Sequence, residues 1–173
     1  MRARVRPLAV SDLDDFLRVR RASLLTDPHA FEATPESDEA LDAERVRSRL
    51  EESSTERADV ILGAFASDLV GIVGLAPHRT VPEALWLWGF YVAPDRRGTG
   101  VGRSLLDEAV RIAAAVRAFR NIMLRVSPRA EAAFALYERA GFSISAEDAS
   151  PSGKDAIPMT LNLAKVRGGT NDR

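Results

Sequence analysis

Apolar residues change their spacing repeatedly along this chain, and each change marks an element. Residues 2–7 alternate arginine with small or apolar residues, the period of a half-exposed strand. Ser11 followed by Asp14 resembles a capping box and predicts a helix to about Asp27, with Leu13, Phe16, Leu17 and Leu24 buried. TDPHAFEATPESDEA, with its prolines and small polar residues, predicts a loop. Leu41, Val46 and Leu50 then mark a second, more polar helix. VILGAFA and LVGIVGLA flank Ser67-Asp68 as a buried hairpin.

ALWLWGFYV, residues 84–92, is the strongest strand pattern, and Pro94 ends it. From Arg103 to about Arg117, Leu105, Leu106, Ala109, Ile112 and Val116 recur at helical spacing. IMLRV is a further strand. Pro128, with Ser127 as its N-cap, starts a helix that Gly141 terminates, and IPMTLNL is the last strand. This order predicts one α/β (α+β) domain over residues 1–165, followed by a flexible tail at 166–173.

Composition narrows the chemistry. A chain of 173 residues, 46% of them hydrophobic, fits one domain with a sizeable core. Its net charge of −1 gives no argument for nucleic acid or an anionic membrane. With no cysteine, thiolate metal sites and a Cys nucleophile are excluded. His29 and His78 are too isolated for a zinc site, so no metal is expected. No secretory leader or membrane span is read, which makes a cytoplasmic protein the expectation.

PDRRGTGVG, residues 94–102, connects the strongest strand to the following helix. Amides at a helix N-terminus lack internal partners and carry the positive end of the dipole, so they bind phosphate. Missing side chains at Gly98, Gly100 and Gly102 let a pyrophosphate approach, and Arg96, Arg97 or Arg103 could add charge. A P-loop requires Lys-Ser/Thr after its second glycine, and a dinucleotide fingerprint has different spacing. Neither fits.

Arg97, Gly100 and Gly102 match the Q/R-x-x-G-x-G/A signature of the GNAT superfamily of acyl-CoA-dependent N-acyltransferases. AEAAFALYERAGF, residues 130–142, is similar to its second signature through Ala133, Leu136, Tyr137, Gly141 and Phe142; Ala130 stands where the family often has Asn. The resemblance covers about residues 2–163. It implies a single domain with a central, mixed, mostly antiparallel twisted sheet and about four flanking helices.

The activity implied is transfer of an acetyl group from acetyl-CoA, as cosubstrate, to a small-molecule amine or a protein amine by direct attack. A homodimer is left open. The implied coenzyme contacts are Tyr91, Val92, Arg97, Gly98, Thr99, Gly100, Val101, Gly102, Arg103 and Ser104. Tyr137 would protonate the leaving thiolate, although its periodicity alone reads as core. The alternative is a GNAT-fold sensor or interaction module that binds acyl-CoA with little turnover.

The acceptor side is less defined. Trp86 and Trp88 share a face by period two, and core packing competes with lining a pocket. The loop after the first helix carries Asp27, Glu32, Glu36, Asp38 and Glu39. Phe31 and Glu32 are expected to line the acceptor pocket with Trp88, Glu32 favouring a cation. Counting back from Tyr91, the family's strand glutamate falls on Trp88, which accepts no proton. Glu83 is the nearest carboxylate and the candidate base, acting directly or through ordered water with Glu83 or His78 at its far end, or else the acceptor has a low amine pKa and needs little help; an exposed strand-end Glu is the plainer reading.

Overall fold

The computed structural model describes residues 3–31, 34–145 and 155–169. Its elements are β1 Arg4–Pro7, α1 Leu13–Thr26, α2 Ala43–Glu51, β2 Val60–Phe65, β3 Leu69–Pro77, β4 Ala84–Val92, α3 Val101–Ala115, β5 Asn121–Val126, α4 Glu131–Arg139, β6 Ser143–Ile144, β7 Ile157–Asn162 and α5 Leu163–Gly168. The strands form one sheet in the order β1-β2-β3-β4-β5-β7-β6. Every neighbouring pair is antiparallel except β4–β5, which is parallel.

Both faces of the central strands are covered, which is why their sequences read as nearly continuous apolar runs. On one face Leu62, Val73, Leu85, Leu87 and Leu124 pack with Leu105, Leu106 and Ile112 of α3 and Tyr137 of α4. On the other, Ile61, Ile72 and Tyr91 pack with Phe16 and Val19 of α1 and Val46 and Leu50 of α2.

Three local expectations are corrected. The Ser11–Asp14 box does not form; a 3₁₀ turn over Val10–Asp12 precedes α1. Asp12 instead accepts from the Ala9 amide at 2.8 Å and holds Arg6 through two bonds of 2.7 and 2.8 Å. Ser127 caps a turn, its hydroxyl accepting from the Arg129 amide, and α4 begins only at Glu131. The tail, expected to be loose from residue 166, is helical to Gly168. Arg167 donates to the carbonyls of Ala114, Val116 and Phe119, at the end of α3 and in the turn that follows it.

Candidate functional site

β4 and β5 begin as a hydrogen-bonded pair and then part. Their pairing is confined to Ala84–Trp86 against Asn121–Met123. Beyond it β4 stays with β3 as far as Val92, while β5 stays with β7 as far as Val126. The diverging strands leave a wedge whose β4 wall carries unpaired backbone.

A bulge shapes that wall. Tyr91 opposes Ile72 and Trp88 opposes Gly74, so three steps along β4 answer two along β3, with Gly89 at φ +62°. The extra residue resets the alternation. Trp88 and Tyr91 both face α1 and α2, whereas Phe90 and Val92 face α3 and α4. The Ala93 amide donates to Val70 of β3 at 2.8 Å, so by strand alternation Val92 directs its backbone groups into the wedge. Arg97 Nε occupies the Val92 carbonyl at 2.9 Å and leaves the amide facing the opening.

The glycine loop closes the same end. Gly98 and Gly100 have φ of +72° and +90°, a region L side chains rarely adopt. A Cβ on either would meet nothing within 4 Å, so open space lies before both. Gly100 is the N-cap of α3 and contributes no side-chain cap, and Val101 is buried beneath the first turn. The amides of Val101, Gly102 and Arg103 therefore form the unpartnered positive end. Ser104 is different: its amide already donates to the Gly100 carbonyl at 3.0 Å.

The arginines expected to supplement these amides are engaged elsewhere. Arg97 pairs with Asp27 at the end of α1, Arg103 with Asp107, and Arg96 with Asp95. Arg97 thus ties the loop to β4 and α1. Thr99 donates to the Arg96 carbonyl at 2.6 Å, which holds the turn shut.

Tyr137 comes to the wedge from α4. Its ring meets Phe90 edge to face at 5.7 Å between centroids and lies 5.6 Å from Phe142. Burial pushes its phenol well above the ordinary tyrosine range, so it stays protonated at neutral pH. A Cβ on Gly102 would stand 3.5 Å from Leu136 and 3.6 Å from Phe90. Phe90 therefore joins the bulge, the glycine loop and α4 around one point.

The opposite side of the bulge is covered by α1, α2 and the loop between them. The Trp88 indole lies flat on Gly74, whose Cβ, if present, would fall 2.0 Å from it. Arg49 stacks over that indole at 4.9 Å, and Arg20 stacks over Phe31 at 4.6 Å. Arg20 Nε donates to Asp38 at 2.6 Å, with both side chains only 7% exposed. Of the acids in the loop, Asp27, Asp38 and Glu39 are spent on Arg97, Arg20 and Arg45. Glu32 lies outside the described residues.

Glu83 is not brought to this site. It precedes β4 at the end remote from the glycine loop, roughly 23 Å of strand from Phe90 at about 3.3 Å per residue. Its carboxylate pairs with Arg120 at 3.0 Å, and its carbonyl accepts from the Arg120 amide at 2.6 Å. The bulge lies beyond Trp88 and leaves the facing of Glu83 unchanged. His78 is at the same remote end, its Nδ1 accepting from Val81 and its ring against Trp86.

Among the described residues, no group of three or more His, Cys, Asp or Glu could hold a metal, and no helix is long and apolar enough to cross a membrane. Arg20 and Gly89 were missed in the sequence. Arg20 did leave a signal, being a charge four residues after Phe16 on the buried stripe of α1.

The acetyltransferase (GNAT) family model matches residues 22–142. No curated protein matches by sequence. A GNAT-family acetyltransferase from Streptococcus pneumoniae superposes with a TM-score of 0.73 at 24% identity, covering 92% of this chain and 98% of that one. A phosphinothricin acetyltransferase from Sinorhizobium meliloti, in complex with acetyl-CoA, gives 0.73 at 22% identity, covering 94% and 89%. The PaiA N-acetyltransferase from Thermoplasma acidophilum, in complex with coenzyme A, gives 0.70 at 23% identity, covering 94% and 99%. At these identities the likenesses show a common fold.

Proposed function

The chain belongs to the GNAT acetyltransferase family, and from that premise we propose that it moves the acetyl group of acetyl-CoA to a primary amine by direct attack. The observation that carries this reading is the convergence on Phe90. It sets the outward Val92 amide, the open first turn of α3 and the Tyr137 hydroxyl around one wedge.

Amides of residues 101–103 receive the pyrophosphate, with Gly98 and Gly100 giving it room. The Val92 amide donates to the thioester carbonyl and favours the oxyanion that forms on attack. Arg97 acts as a positioning residue, fixing the Val92 peptide through its carbonyl. Ser104 has only its hydroxyl left to offer.

Tyr137 donates to the leaving sulfur. A thiol has an ordinary pKa of about 8.5, below that of a phenol held high by burial. Full transfer from Tyr137 is therefore uphill, and a hydrogen bond to the developing thiolate is its main contribution, with the proton released by the new amide completing the step. Glu83 and His78 are too remote to serve as bases, so the amine loses its proton to water in the wedge or arrives neutral.

Initial rates with both substrates varied test the reading. Direct attack gives intersecting double-reciprocal lines; parallel lines would mean an acetylated protein intermediate and overturn it.

A further inference from the structure

On the α1 and α2 side of the bulge, three buried donors have no hydrogen-bond partner among the described residues: Arg20 Nη1, Trp88 Nε1 and Arg49 Nε. They are neighbours. Arg20 Nη1 lies 3.5 Å from the Cβ position of Gly89, the residue after Trp88, and the Arg49 guanidinium stacks on the Trp88 ring. Burying a donor without an acceptor forfeits its hydration, so such groups are normally satisfied by something in the site. All three are donors, and no unpartnered acceptor accompanies them, so the missing group is acceptor-rich.

Charge points the same way. Arg20 gives only Nε to Asp38, and Arg49 gives only Nη2 to Asp59, at 3.3 Å. Each guanidinium keeps donors in its planar fork, which matches a carboxylate. Of the acids of the covering loop, Asp27, Asp38 and Glu39 are already paired with Arg97, Arg20 and Arg45.

We infer that the acceptor carries a carboxylate beside its amine, an amino acid or amino-acid-like molecule, and that Arg20 and Trp88 select it. This rests on the amine-transfer reading. The carboxylate docks at Arg20 Nη1 and Trp88 Nε1 across the bulge, and the amine is thereby aimed past Gly89 at the carbonyl held by Val92. Specificity then comes from buried donors that an uncharged analogue would leave unpaired.

The test uses the twenty protein amino acids, each beside its carboxamide and its decarboxylated amine. Transfer rates are measured with acetyl-CoA, and binding is measured by calorimetry on the protein loaded with CoA. At least one amino acid should exceed both of its analogues in kcat/KM on the order of tenfold or more. Trp88→Phe, which keeps the ring over Gly74 but removes the N–H, should cut that preference several-fold and leave CoA affinity unchanged. Arg20→Lys should cut it further.

Amines without a carboxylate that react as well as the amino acids would remove the oxyanion site and leave the acetyltransferase reading standing. A preference unchanged in Trp88→Phe and in folded Arg20→Lys would also overturn the inference. If no amine is acetylated, the acetyltransferase reading fails, and the calorimetric preference alone decides the oxyanion site: present, it stands; absent, it falls.

Discussion

Phe90 and Tyr137 stand edge to face with their ring centroids 5.7 Å apart, and this contact packs the Tyr137 ring of α4 against the bulged strand β4. Replacing the phenol by phenyl keeps the contact and removes only the donor. Tyr137→Phe should lower kcat by about 10²-fold, in line with loss of a general acid or its hydrogen bond, and leave CoA affinity within about twofold. Steady-state kinetics with calorimetry separates the two, and an unchanged kcat would assign Tyr137 to packing.

The same residue predicts a pH effect on stability. Burial raises the folded-state pKa of Tyr137 above its unfolded value, so its contribution is complete below about pH 10 and is lost as pH rises beyond it. Urea denaturation at pH 9 and pH 11 should show a smaller alkaline loss in Tyr137→Phe than in the wild type. Equal losses would contradict a buried, neutral phenol.

Gly100 and Gly102 should respond differently to the same substitution. Gly100 sits at φ +90°, where a side chain costs about 1–2 kcal/mol, so Gly100→Ala should destabilise by roughly that amount. Gly102 lies inside α3 with room for a methyl group, and Gly102→Ala should be neutral or stabilising. In a folded Gly100→Val, CoA binding should be lost, because the side chain enters the space before the amides. Denaturation midpoints and calorimetric affinities check each outcome.

Much of this was legible in the sequence, and the physical reason is locality. β4, the glycine loop and α3 are consecutive, and their signals are periodicity and punctuation within thirty residues or so. The helical placement of Tyr137 was readable because its motif lies on one short helix. The bulge was not, since a glycine in an apolar run does not say whether the strand continues regularly. Arg97 read as a phosphate ligand because its true partners come from tertiary structure: Asp27 is 70 residues away, and the Val92 carbonyl is free only because β4 leaves β5. Glu83 misled for the same reason. Proximity in sequence placed it near the site, and strand length carries it to the other end.

Arg97 therefore should act on rate as well as binding. Arg97→Ala frees the Val92 peptide and the Asp27 end of α1, so kcat should fall at least tenfold beside a weaker coenzyme KM. Arg97→Lys should not restore kcat, because one ammonium cannot hold both partners in place. A change in coenzyme KM alone, with kcat intact, would return Arg97 to the role of phosphate ligand.

Glu83→Gln and His78→Ala should each change kcat/KM by less than about threefold and leave its pH profile in place. A true general base contributes about 10²–10⁴-fold. A loss of that size in either variant, with the acidic limb removed, would contradict the remote position of these side chains.

If the β4–β5 wedge delivers the acetyl group of acetyl-CoA to an amine, mass spectrometry of the product will show the transfer. Acetyl-CoA and the amine panel are incubated with the wild type and with folded Gly100→Val, and free thiol is counted beside N-acetylated product. One N-acetyl product per thiol released is expected, dependent on the amine and absent in Gly100→Val. Thiol released without any acetylated amine, or equal product from the Gly100→Val protein, would contradict it.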